Sequence, residues 1–293
     1  MKKIDISSVF LLVGLWMLSS CEKEAVNIKL PDQTPKLMIS SFISPQDTLT
    51  WVMVTNSRPV YGVINYSDDR RVSDATVTLS DGTEEVQLAF YAQQKGYAID
   101  PARFRIQAGK TYTLTVETPD GRRAEASCTV PWEERIINVK IDTVEVQNTY
   151  NGVPQPSYMA KQASFQWLDS AGRRDYYRVF GELKREQKNL AGIPYYVIHP
   201  WFSGILDEGI DGRTQTQKVV FETYTPGQHF SNVVTLYMYL LHVDEVYYKY
   251  HKALGDYDGD NPFAEPVLLY SNIKGGLGVF CSFNRTETVI EVQ

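Results

Sequence analysis

Thr111-Tyr112-Thr113-Leu114-Thr115-Val116-Glu117 puts Tyr112, Leu114 and Val116 on one side and Thr111, Thr113 and Thr115 on the other, and Asp120-Gly121 follows. Successive side chains of an extended backbone point to opposite faces, so this period of two marks a half-buried strand. Working toward the N-terminus, short β-like runs recur at Leu37-Met38-Ile39, Thr48 to Thr55 and Thr76-Val77-Thr78-Leu79, the last ending on Asp81-Gly82. Asp-Gly supplies the positive φ that tight hairpin turns require. The spacing predicts an immunoglobulin-like antiparallel β-sandwich over residues 36–131, with Pro101 and Gly109-Lys110 in loops and Pro131 at its close.

Strand signals resume beyond Pro131 at Ile136 to Val146, Ala163 to Leu168, Asp175 to Lys184, Lys218 to Glu222, Asn232 to Val243, Val267 to Tyr270, Val279 to Phe283 and Thr286 to Val292. Asp169-Ser170-Ala171-Gly172 reads as a turn joining the second and third of these as a hairpin, with Tyr177, Val179 and Leu183 on a common face. One amphipathic helix is expected near 244–254. Asp244 can cap it, Val246, Tyr247, Tyr250, Ala253 and Leu254 recur at helical spacing, and Gly255 can end it. The expected fold is therefore mainly β, a sandwich followed by a second antiparallel β domain over 132–293 that carries this helix.

The start of the chain sets its address. Lys2 and Lys3 precede the apolar run Val9 to Leu18, which leads to Leu18-Ser19-Ser20-Cys21. A charged start, a short apolar middle and small residues before the cut form a secretory signal over 1–20, too short to be a permanent span. Its ending is a lipobox, so Cys21 is the expected lipidation site and 21–35 a lipidated tether holding Pro31 and Pro35. Several buried acyl chains, at about 0.8 kcal/mol per methylene, hold a protein stably where one does not. Glu22-Lys23-Glu24 can serve as a surface-export signal or as plain solvation, which leaves the facing open between cell surface and periplasm.

Removing residues 1–20 takes away Lys2, Lys3 and Asp5, leaving 27 basic against 34 acidic residues, a formal charge of about −7. That balance disfavours nucleic acid as a partner. Once Cys21 is lipidated only Cys128 and Cys281 remain, both in apolar strand-like runs where a cysteine behaves as a small hydrophobe; a single bridge between them is the alternative.

Chemistry-bearing patterns are sparse. His199, His229, His242 and His251 show no zinc-ligand spacing with cysteine or one another, and no cofactor is expected. There is no Gly-x-Ser-x-Gly elbow, P-loop or dinucleotide fingerprint. Asp256, Asp258 and Asp260 fall at the spacing of the first three ligands of a helix-loop-helix calcium site, but Asn261 stands where that loop needs glycine and Val267 where it needs glutamate. A solvated turn is the simpler reading and an irregular calcium loop the alternative. Tyr195, Tyr196, His199, Trp201 and Phe202 form the most suggestive binding run. Such aromatics grip ligands or partners when exposed, and pack a core when their strand is buried.

Several fragments together resemble a known family. Pro35-Lys36-Leu37-Met38-Ile39 through Ser44-Pro45, Val72-Ser73-Asp74-Ala75-Thr76-Val77 and Gly109-Lys110-Thr111-Tyr112 are similar to the N-terminal half of the lipoproteins grouped as domain of unknown function 4249. Asn261-Pro262-Phe263, Glu265-Pro266 and Ser271-Asn272-Ile273-Lys274-Gly275-Gly276-Leu277-Gly278-Val279-Phe280 resemble its closing signature, the most specific part of a likeness covering nearly the whole mature chain. The resemblance implies an outer-membrane lipoprotein of Bacteroidota that accompanies TonB-dependent transporters, and it carries over no catalytic residue. The expected function is thus a noncatalytic accessory or ligand-binding component of a TonB-dependent uptake complex, anchored in the bilayer through Cys21. Two other classes stay open: a surface glycoside hydrolase or other carboxylate-dependent hydrolase, and a structural or adhesive lipoprotein.

Overall fold

In the computed structural model of the protein, residues 34–58, 69–150, 152–188, 194–206, 211–221, 230–255 and 269–292 are described. Strands β1 (Leu37–Ile43), β2 (Thr50–Asn56), β3 (Thr76–Ser80), β4 (Glu85–Gln87), β5 (Ala89–Tyr91), β6 (Gly96–Ile99), β7 (Thr111–Glu117) and β8 (Arg123–Thr129) come first. They are followed by β9 (Ile137–Tyr150), β10 (Val153–Leu168), β11 (Tyr176–Lys188), β12 (Pro194–Leu206), β13 (Thr214–Phe221), β14 (Phe230–Val243), helix α1 (Glu245–Gly255) and β15 (Gly276–Val292). The described strands belong to one compact unit.

The alternation in β7 becomes burial: Tyr112, Leu114 and Val116 are inside, and Thr111 and Glu117 face solvent. Each such apolar side chain contributes about 1.5–3 kcal/mol when fully withdrawn from water. The Asp-Gly turns form as expected, with Gly82 and Gly121 at positive φ between β3 and β4 and between β7 and β8.

A central sheet of order β12-β11-β14-β15-β1-β2-β6-β5 organises the molecule. The four-stranded sheet β4-β3-β7-β8 packs on one end of it, joining Leu37, Ile39, Val54 and Phe280 to Leu79, Tyr112 and Leu114 in one core. The three-stranded sheet β13-β10-β9 packs on the other end, where Phe165 and Trp167 meet Tyr177, Val179, Leu236 and Met238. Alternate residues of β15, from Phe280 to Val292, serve both cores, which places the two small sheets on the same face. Helix α1 covers the opposite face, where Tyr247 and Tyr248 pack with Tyr176, Leu241, Val279 and Cys281. Asp244 caps it as expected, its Oδ1 accepting from Tyr247 N at 2.7 Å. Tyr248 takes the buried place on the helix that the periodicity gave to Leu254, which is 45% exposed.

Three sequence expectations change. The sandwich is not made from residues 36–131 alone, because β15 lies parallel to β1 in the register Leu37↔Gly276 to Ile43↔Ser282. Val279 to Phe283 and Thr286 to Val292 are one continuous strand, whose second half pairs with β14. The turn at Asp169 to Gly172 does not close a hairpin: β10 pairs with β9 and β13, while β11 pairs with β12 and β14. Apolar alternation in β10 and β11 shows which faces are buried, but two strands packed face to face bear the same pattern as two strands joined edge to edge.

The run from Ser271 to Phe280 acquires a structural meaning. Asn272 imitates a paired strand, its Nδ2 donating to Phe280 O at 2.8 Å and its Oδ1 accepting from Phe280 N at 3.0 Å. Gly278, at φ 106°, lies so close to β1 that a Cβ would sit 2.0 Å from the Ile39 carbonyl oxygen. The signature therefore inserts the last strand beside the first.

Cys128 and Cys281 are both free and buried. Cys128 belongs to the sandwich core and Cys281 to the cluster beneath α1, with the backbone of the central sheet between those layers. Burial pushes both thiols well above the ordinary range.

Candidate functional site

The two small sheets leave a strip of the central sheet between their cores, and polar side chains fill it. Tyr177, His242 and Asn284 lie side by side across β11, β14 and β15. The segment from Thr129 to Glu134 crosses above them and is fastened by its own backbone carbonyls. Asn284 Nδ2 donates to Pro131 O at 3.0 Å, the Thr286 hydroxyl donates to Glu134 O, and Ser282 Oγ lies 2.9 Å from Thr129 O. Gln46 Nε2 donates to Asn284 Oδ1 at 2.7 Å, so both ends of that buried amide are satisfied.

His242, only 3% exposed, is the centre of this seam. Its Nδ1 lies 2.8 Å from Trp132 O and its Nε2 3.1 Å from Asp175 Oδ1. Both ring nitrogens are thus engaged by groups of the protein itself. Arg173 Nε reaches both Asp175 oxygens at 2.7 Å and its Nη2 lies 3.2 Å from Glu134 Oε1. Burial of Asp175 works against its charge, but the hydrogen bonds from His242 and Arg173 outweigh it and hold the carboxyl below its ordinary value. Burial raises the Glu134 carboxyl, with His242 and Arg173 opposing. The Tyr177 hydroxyl donates to Asp169 Oδ1 at 2.9 Å, and burial, reinforced by that bond, drives the phenol far above its usual range. Asp169 Oδ2 accepts from Gly212 N at 2.9 Å. This carboxylate ties the end of β10 to β11 and to the segment before β13.

A cleft of about 400 Å³ opens above the seam. Val130, Pro131 and Val243 give it apolar wall, and Trp132, Arg173 and Arg174 stand at it. Trp132 is 60% exposed, unusual for so large an apolar ring. Its indole lies against Gly109, where a Cβ would come within 2.5 Å of Cζ2. A second hollow of about 540 Å³, lined by Glu133, Arg135, Ile137 and Leu168 among others, adjoins the seam on its acidic side.

The residues singled out in the sequence lie elsewhere. Tyr195, Tyr196, His199, Trp201 and Phe202 sit on β12, the edge strand of the central sheet, with His199 opposite Leu183 and Trp201 opposite Gly181. Their side chains lie outside the described set. An edge position accommodates Pro200 within a strand, since proline cannot donate to a ladder on both sides. Cys21, Asp256, Asp258 and Asp260 lie outside the described residues. Among the described residues no group of three or more His, Cys, Asp or Glu is disposed to hold a metal ion, and no helix is long and apolar enough to cross a membrane. Sequence reading missed Trp132, Arg173, Arg174 and Asp175. The available signal was an indole directly after Pro131 and the pair of arginines after Gly172.

Fold and site together define a mainly β protein in which two small sheets share one face of a central sheet and a cleft opens over the polar seam between them. No curated protein matches the chain. A family model does: the chain belongs to the family described as Domain of unknown function (DUF4249), matched over residues 23–288.

Proposed function

We propose that the mature protein is an outer-membrane lipoprotein, held by acylated Cys21, that serves without catalysis as an accessory or ligand-binding component of a TonB-dependent uptake complex. The observation that carries this reading is Leu18-Ser19-Ser20-Cys21 at the end of a short apolar run. The cleft supports a binding role, because its wall exposes Trp132 and Arg174 while the His242 nitrogens are engaged within the protein. Tryptophan and arginine are the side chains that most often anchor a binding surface. Edge strand β12, bearing Tyr195, Tyr196, His199, Trp201 and Phe202, is the second surface assigned to partner binding. The test is crosslinking in intact cells followed by capture through a C-terminal tag. A TonB-dependent barrel should be recovered from the membrane fraction, and recovery of no envelope protein would count against the proposal. Cys21→Ala should leave the protein unprocessed or in the aqueous phase.

A further inference from the structure

Trp132 and Arg174 make the cleft chemically asymmetric. The indole offers an exposed apolar face braced on Gly109, so it is held in place before any ligand arrives. Arg174 is exposed and makes no ion pair or hydrogen bond among the described residues. The acidic groups at the cleft are already occupied. Asp175 is held by Arg173 and His242, Asp244 by Tyr247 N and Ser282 N, and Glu245 by Lys249 at 3.0 Å. Among the described residues at the cleft, the Arg174 guanidinium remains uncompensated, and the exposed Trp132 indole lines the same cleft.

A planar fork of N–H donors matches a carboxylate bidentately, and an indole face takes the apolar face of a ring. We infer that the cleft binds a ring that carries a carboxylate, with the ring on Trp132 and the carboxylate on Arg174. Saturated uronic sugars and aromatic acids share this chemistry, and the experiment separates them. The inference deepens the ligand-binding role proposed above and rests on it, but it concerns the protein alone and needs no transporter.

The test uses the full chain purified in detergent, with titration calorimetry and tryptophan emission as readouts. The probes are a galacturonic acid trimer, the matched neutral galactose trimer, and benzoate. Binding of the acidic trimer assigns a uronic sugar and binding of benzoate an aromatic acid, and either supports the inference. Arg174→Gln should weaken the bound probe by about tenfold or more, as loss of one charge-assisted contact does. Trp132→Ala should weaken it comparably while Trp132→Phe retains most of it, each with an unchanged melting temperature. The inference is overturned if neither acidic probe binds, if the neutral trimer binds as well as the acidic one, or if Arg174→Gln leaves affinity unchanged. A failed capture of any barrel beside intact probe binding would remove the transporter reading and leave this one standing.

Discussion

Gly278→Ala tests whether the close approach of β15 to β1 holds the central sheet together. Gly278 has φ 106°, and an added methyl would lie 2.0 Å from Ile39 O and 3.1 Å from Ile39 N, both backbone atoms that cannot swing away. Holding an L-residue at this φ costs on the order of 1–3 kcal/mol. Forcing backbone apart in a packed layer adds about 1–3 kcal/mol more. The expected loss is therefore about 2–6 kcal/mol, a large share of the roughly 5–15 kcal/mol that holds a typical domain folded. Gly82→Ala is the control: its φ is 86°, and a Cβ there meets nothing within 4 Å. That variant bears only the conformational penalty, about 1–2 kcal/mol. Urea titration followed by tryptophan emission reads both, and the slope with denaturant should stay that of the wild type. Equal losses at Gly278 and Gly82 would refute the reasoning, since the contact with Ile39 would then carry no energy of its own.

Three further outcomes follow from buried groups. In the native state neither Cys128 nor Cys281 should react with a thiol reagent at neutral pH, and both should react in denaturant; one equivalent of native reactivity would contradict their burial. Burial raises Asp244 from 3.8 to about 6, so its contribution is fully present below pH 3.8 and is lost as pH rises through about 6. The wild type should gain up to about 3 kcal/mol relative to Asp244→Asn between pH 7 and pH 4, and a flat difference across that range would refute the assignment. Asp175→Ala should cost about 3–5 kcal/mol by leaving Arg173 and His242 without their acceptor, whereas the double change Asp175→Leu with His242→Phe should cost less than that single one. Denaturant midpoints that simply add would show the pair to be uncoupled.

Local features of this fold were legible where local physics decides them. The period of two at Thr111 to Glu117, the Asp-Gly turns and the Asp244 cap each depend on residues within a few positions of one another. The common face of Tyr177, Val179 and Leu183 was also readable, because burial imposes it whatever lies opposite. Pairing was not. Edge-to-edge and face-to-face arrangements of β10 and β11 bear the same alternation, and the long-range bonds of Asp169 to Tyr177 and Gly212 give no sign in the sequence. The seam was hidden for the same reason: Glu134, Asp175 and His242 come from three separate elements, and no spacing relates them. For Trp132 the position after Pro131 was the one local signal, and its contact with Gly109, more than twenty positions away, left no trace in the sequence.

The pairing of β1 with β15 dictates an order of events during biogenesis. β1 can hydrogen-bond on one side to β2 as soon as both have emerged, but its other edge waits for a strand some 240 positions later, Ile43 meeting Ser282. Until Gly276 to Ser282 reach β1 and Phe283 to Val292 reach β14, these strands are two open edges of unfinished half-sheets, the kind of surface on which chains stick to one another. Closing so long a loop is slow relative to the hairpins inside it. A nascent chain crossing a membrane would therefore hold back its central sheet, and remain threadable, until the residues up to Val292 have passed through.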